Sequence, residues 1–284
     1  MVVTSTILDG VFCLLLVSAA VVTVTTATPR EPVGEGRAPD VASTVATTTA
    51  AVNYTLAPRF DRTPVEGPES DAFARTAHGT LAELLARATV GELTVGGQPL
   101  SRDHAGLSRA VVRAVEGAVR TNHTRITAVW RPYPNASVTG RITVGGRPPP
   151  DVPVHTATLT VSSGFPTTRI DARRAGATNG IAGVADAVAA GIVEGLFPPT
   201  RTRLAAGERA SSLVRHRYRL AERRFGVDGH TTLSDGDVDA ANDRLAAALS
   251  DRVARDLRGA NVSASTAAER VGVGRVRIVV RTWP

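Results

Sequence analysis

An α+β fold is predicted for the bulk of this chain, on three observations. Apolar residues recur at three- and four-residue spacing in several long stretches, the period of helices that bury one face. Alternating β-branched runs stand at "TRITAVW" (124–130), "SVTGRITV" (137–144), "VHTATLTV" (154–161) and "GRVRIVVRTW" (274–283), the period of strands. Apolar content is 43% with only 4% aromatic, so a sizeable core is available and must be built from Ala, Val and Leu. The expected architecture is an N-terminal transmembrane helix followed by an extracytoplasmic domain of about five helices and a small mixed or antiparallel sheet. The divisions are 1–27 as anchor, 28–40 as linker and 41–284 as the domain.

The anchor comes first. Ile7 to Ala27 is 21 residues, almost all apolar or hydroxyl-bearing, and a bilayer span needs about 20 at 1.5 Å each. A secretory signal begins with a positive region, whereas no basic residue precedes Arg30. Retention is therefore expected. Cleavage keeps one weak pattern, Thr25-Thr26-Ala27 with Pro29 just beyond. Asp9 is the odd residue, because an acid at the centre of a span costs a few kcal/mol. Near the end it reaches the interface; the functional alternative is contact with a partner helix.

Beyond the anchor, "TPREPVGEGRAPD" (28–40) has the Pro, Gly and charge of a linker, and "STVATTTAAVNYTL" (43–56) ends in strand-like composition. "PRFDRTPVEGPES" (58–70) is loop. Phe73, Ala77, Leu81, Leu84 and Ala88 predict a helix capped by Ser70 or Asp71. A second helix is expected over 102–121, capped by Ser101, with Leu107, Val111, Ala114, Val115 and Ala118 on one face. The strands at 124–130, 137–144 and 154–161 follow, the last two separated by the Pro-stiffened "GGRPPPDVP". "TNGIAGVADAVAAGIVEGLF" (178–197) is apolar enough to span a bilayer, but its Asp186, Glu194 and glycines predict a buried helix that Pro198-Pro199 ends. Two helices follow at 201–224 and 237–258, the second with Val238, Ala241, Leu245, Leu249, Val253 and Leu257 in one stripe. The chain closes on a strand at 274–283, with Trp283 covering the end of the sheet. "GELTVGGQP" (91–99) and "GRITVGGRP" (140–148) look alike, which reads as shared turn chemistry because their surroundings differ.

Absences narrow the chemistry. All 33 basic residues are Arg, so no phosphate-loop Lys and no Schiff base exist. Cys13 is the only cysteine and lies in the apolar segment, which rules out disulfides and thiolate zinc sites in the domain. The six His are scattered without ligand spacing. Asp235, Asp237 and Asp239 alternate as in a calcium loop, but an EF-hand's Gly and Glu positions hold Ala240 and Ala246. These acids fit the N-terminus of the following helix instead. No metal, no cofactor and no enzymatic activity are expected, and nucleic acid is not an expected partner because no recognisable motif accompanies the basic residues.

Two patterns point to contacts. Four of the six Asn begin N-x-S/T sequons, at Asn53, Asn122, Asn135 and Asn261, where roughly one would fall by chance at this Ser/Thr content. They are candidate N-glycosylation sites and place the C-terminal part outside the cell. The helix at 201–226 carries eight Arg against two Glu, and Arg215, Arg219 and Arg223 form a row at four-residue spacing. A solvated face is the plain reading; contact with an acidic partner or anionic headgroups is the functional one.

The opening "STILDGVFCLLLVSAAV", the helix "HGTLAELLARATV", the stretch "PPPDVPVHTATLTV" and the ending "VRIVVRTWP" resemble a group of uncharacterised haloarchaeal single-span membrane proteins. Members of that group sit among genes for archaeal pilus and type II/IV secretion machinery. The resemblance implies a structural or assembly role, pilin-like or secretion-associated. Joined to the absences above, it predicts a non-enzymatic component; the length of the apolar run puts residues 7–27 in the bilayer, and Asp9 is the candidate contact with a membrane-protein partner. The alternative is an anchored or secreted domain binding an anionic ligand through Arg215, Arg219 and Arg223.

Overall fold

A computed structural model of the chain describes residues 37–56, 74–101, 103–119, 122–206, 211–227 and 237–284. The expected anchor with Asp9, residues 28–36 of the expected linker, the loop at 58–70, Asp71, Phe73 and the first of the alternating acids lie outside these residues.

The described residues form an α+β fold with antiparallel sheets. In chain order the elements are α1 (Ala38–Thr47), β1 (Thr49–Thr55), β2 (Ala74–Thr80), α2 (Leu81–Gly91), β3 (Leu93–Val95), β4 (Gln98–Pro99), α3 (Ala105–Ala118), β5 (Thr124–Trp130), β6 (Val138–Gly145), β7 (His155–Ser162), α4 (Arg169–Leu196), α5 (Pro199–Ala206), α6 (Ser211–Phe225), α7 (Val238–Gly259), α8 (Ala264–Glu269) and β8 (Arg275–Thr282). β1 and β2 pair as a two-stranded ribbon. The remaining strands form one six-stranded sheet in the order β4-β3-β6-β5-β8-β7.

Alternation decides which face of the large sheet is buried. Ile126, Ala128 and Trp130 on β5, Val138, Ile142 and Val144 on β6, and Val276, Ile278 and Val280 on β8 all point to one side and are buried. Helices α1, α2 and α3 pack on these strands. Gly140 lets α2 approach, since a Cβ there would stand 2.2 Å from the Thr89 carbonyl oxygen. The closing strand is not at an edge: β8 lies between β5 and β7, paired to β5 along Val276–Thr282 and to β7 along its whole length. Trp283 continues it, donating its backbone N–H to His123 O at 3.1 Å and stacking on the His123 ring.

A second layer consists of α4 running along α7 and α8. All six stripe residues of α7 are buried, as their spacing predicts. Asp237 caps that helix, accepting from Ala240 N at 2.9 Å, which is the dipole role expected of this acidic stretch. Arg169–Ala205 is long and apolar enough to cross a bilayer by length and composition, and 50% of its most apolar window is buried within the fold. Gly180 breaks its run with φ 60 and ψ −143, a left-handed kink open only to glycine without strain.

Several expectations are corrected. The domain begins earlier than residue 41, because α1 starts at Ala38 inside the stretch assigned to the linker, with Pro39 in its first turn. The helix expected from Phe73 starts at Leu81; Ala77 belongs to β2, whose hydrogen bonding to β1 outweighs the helical spacing. Its cap is neither Ser70 nor Asp71 but Thr80, in a reciprocal capping box with Glu83. The next helix starts at Ala105 after His104, so Ser101 is not its cap; Ser101 Oγ instead accepts from Asp103 N at 3.0 Å. Ala118 is exposed, off the buried face. The apolar helix begins at Arg169, ahead of Thr178, and the Arg-rich stretch is two helices, α5 and α6. Eight helices stand among the described residues where about five were expected.

The look-alike segments also resolve. The first is the β3–β4 hairpin around Gly96-Gly97, and the second is β6; β3 and β6 pair antiparallel, Leu93 opposite Gly140. Neighbouring strands, each turning at Gly-Gly, account for the likeness.

Candidate anion-binding cleft beside the arginine helix

Helix α6 is fixed to the fold by its apolar stripe and by hydrogen bonds from Tyr218 and Arg224. Tyr218 and Ala221 are fully buried, and Phe225 nearly so. The Tyr218 hydroxyl donates to Asn242 Oδ1 at 2.7 Å, Asn242 Nδ2 donates to Phe197 O at 3.0 Å, and the Phe197 and Tyr218 rings lie 4.1 Å apart. Burial pushes the Tyr218 phenol well above its usual pKa, so it stays a donor. Arg224 Nε reaches the Pro99 carbonyl at 2.9 Å, and Arg203 on α5 pairs with Asp239 on α7.

This attachment divides the arginines of α6 between two environments. Arg215, Arg219 and Arg223, the row read from the sequence, are all exposed. Arg217 turns the other way, into a cleft of about 830 Å³. Arg87 of α2 and Arg201 of α5 also line it, with Glu83 the one acid among the lining residues. Leu93, Leu107, Phe165 and Leu220 supply apolar wall.

Arg217 Nη2 contacts His104 Nε2. A guanidinium can only donate, so Nε2 is the acceptor and the imidazole proton sits on Nδ1, which is buried without a partner. Burial first, and then the Arg217 charge, lower the His104 pKa to about 4. Burial also lowers that of Arg217, while Asp103 acts in the opposite sense. Asp103 is 2% exposed, and its Oδ2 has no hydrogen-bond partner. No carboxylate among the described residues forms an ion pair with Arg217.

The folded-state pKa of His104, about 4, lies below the ordinary histidine value of 6.5, so the unfolded chain binds the extra proton first as pH falls. The contribution to stability is complete above about pH 6.5 and is lost as pH drops towards 4. Thermal melts of wild type and His104→Gln across that window should show the variant losing less stability on acidification.

The four sequon asparagines, Asn53, Asn122, Asn135 and Asn261, are all exposed. Asn135 and Asn261 occupy left-handed turn positions with φ 61 and 50. No group of three or more potential metal ligands occurs among the described residues. The pairing of Arg217 with His104 was not legible in the sequence: the residues are 113 positions apart, and neither belongs to a motif.

A model for a family of unknown function, DUF7284, matches residues 8–283. The chain belongs to the DUF7284 family. The DUF7284 match runs from inside the N-terminal apolar segment, with Asp9 included, to the residue after β8, so that segment and the domain fall within one family pattern. No curated protein and no solved structure gives a significant match to this DUF7284 chain.

Proposed function

We propose that this is a membrane-anchored, non-enzymatic structural or assembly component, pilin-like or secretion-associated, that holds its α+β domain outside the cell and works by contact. The observation that carries the reading is the exposed row Arg215, Arg219 and Arg223, held on a helix whose opposite side is locked into the core. A rigid row of guanidinium forks is suited to carboxylates on a partner. The exposure of all four sequon asparagines supports the extracytoplasmic address, and the family match reaching back to residue 8 supports treating anchor and domain as a unit. His104 argues against turnover, because the nitrogen that could accept a proton from a nucleophile is occupied by Arg217.

Crosslinking of the full chain in membranes, at low and high salt, tests this. Arg215→Glu, Arg219→Glu and Arg223→Glu together should abolish a crosslink that high salt also weakens, since exposed charges are screened within about 10 Å at 0.1 M. Asp9→Ala should abolish a different crosslink, insensitive to salt, while the domain stays folded. Unchanged crosslinks in both variants would remove the reading.

A second reading is favoured by Arg217. A guanidinium partly withdrawn from water, without a carboxylate partner, in a cleft also lined by Arg87 and Arg201, suits a small organic anion. Screening carboxylates and phosphates for a rise in melting temperature that Arg217→Gln abolishes would decide it.

A further inference from the structure

We infer that the open face of the six-stranded sheet docks on an anionic lipid surface. The side chains of β5, β6, β7 and β8 that point away from the helices form three rungs. The first is Arg141, Val129, Arg277 and Thr160; the second Thr143, Thr127, Val279 and Thr158; the third Gly145, Arg125, Arg281 and Thr156. Arg275 extends the same side of β8. All five arginines of these strands are therefore on one face, and the four strands contain no acidic residue.

None of the five takes part in an ion pair or a side-chain hydrogen bond among the described residues. Arg141, Arg275 and Arg277 are exposed, and Arg125 and Arg281 partly so. Arg125 stands directly opposite Arg281 on the adjoining strand, an arrangement of like charges that destabilises a sheet unless something outside compensates. A strand pair that bears this cost is accounted for by an anionic surface lying across it.

The shape and tether choose a lipid surface. Apart from Val129, Val279 and Gly145 the outward positions are arginines and threonines, Thr127 among them buried, spread over four adjoining strands rather than gathered in a groove that would grip a polymer. None of its outward positions is aromatic, so it offers no stacking platform for bases. On the anchor reading, on which this choice of partner rests, residues 28–37 tether the domain, and a stretch of ten residues can span at most about 36 Å. The domain is then confined beside the headgroups, where even a modest attraction is multiplied by local concentration.

The test uses the full chain with Cys13→Ser, which removes the only native thiol, and a probe thiol at Thr160→Cys beside Arg277. Ala118→Cys, exposed on α3, is the control. Each is reconstituted in neutral vesicles and in vesicles one-third anionic, then labelled with a membrane-impermeant maleimide. Labelling at Thr160→Cys should slow at least fivefold in the anionic vesicles, recover on adding NaCl to 0.5 M, and stay fast at the control. Adding Arg125→Gln, Arg277→Gln and Arg281→Gln should abolish the slowing, and that variant should melt at or above the parent temperature because the opposed charges are gone. Equal rates in both lipids would overturn the inference, as would slowing that survives in the arginine variant. Protection by soluble polyaspartate but not by anionic lipid would overturn it in favour of an acidic protein partner. Failure to float with neutral vesicles would sink the anchor reading alone; the labelling comparison with added anionic vesicles would still judge the face.

Discussion

Deletion of Arg275–Pro284 is expected to leave a chain with no cooperative thermal transition. β8 pairs with β5 along Val276–Thr282 and with β7 along Arg275–Thr282, so its loss cuts the sheet in two and strands β7. Val276, Ile278 and Val280 are each 0% exposed. Removing three such side chains forfeits about 5–9 kcal/mol of burial, against a total stability of about 5–15 kcal/mol for a domain. The cut also opens a new unpaired edge on β5 and exposes apolar surface beneath α1 and α2, which favours aggregation. Calorimetry of the truncated and intact chains checks this. Cooperative melting near the intact temperature would mean that β8 is not integral to the sheet.

Trp130→Ala is expected to cost about 3–5 kcal/mol, the range for removing a fully buried large aromatic. Trp130 is the largest of the fully buried side chains. Its ring meets Phe165 edge-on at 5.4 Å, and its Nε1 donates to the Val273 carbonyl at 2.7 Å, which ties β5 to the turn entering β8. For a domain of this size the melting temperature should fall by roughly 10 °C. Trp130→Phe should cost less than half as much, because it keeps most of the apolar contact and Val273 O retains the Ser163 hydroxyl at 2.9 Å. Equal losses in the two variants would show that the indole hydrogen bond, and not packing, dominates.

The sequence by itself determined the elements whose periodicity is unambiguous: the stripe from Val238 to Leu257 and the alternation of β5, β6, β7 and β8. It also excluded lysine and domain-thiol chemistry outright, because those groups are absent. It placed Arg215, Arg219 and Arg223 on one side of a helix, since residues four apart share a face whatever the rest of the chain does.

Only the tertiary structure decided the rest. "ARTAHGT" became β2 because β1 offered it a hydrogen-bonding partner, and no local pattern encodes a partner. Arg217 faces a cleft because α6 is turned by Tyr218 and Phe225, and its contact His104 is brought in from another element. The alternation in "GRVRIVVRTW" announced two faces but not which would stay open. That follows from where α1, α2 and α3 pack, and from neighbouring strands setting Arg125 beside Arg281 and Arg141 in the rung of Arg277. A strand's period is local, whereas the company its side chains keep is set by register and packing between residues far apart in the chain.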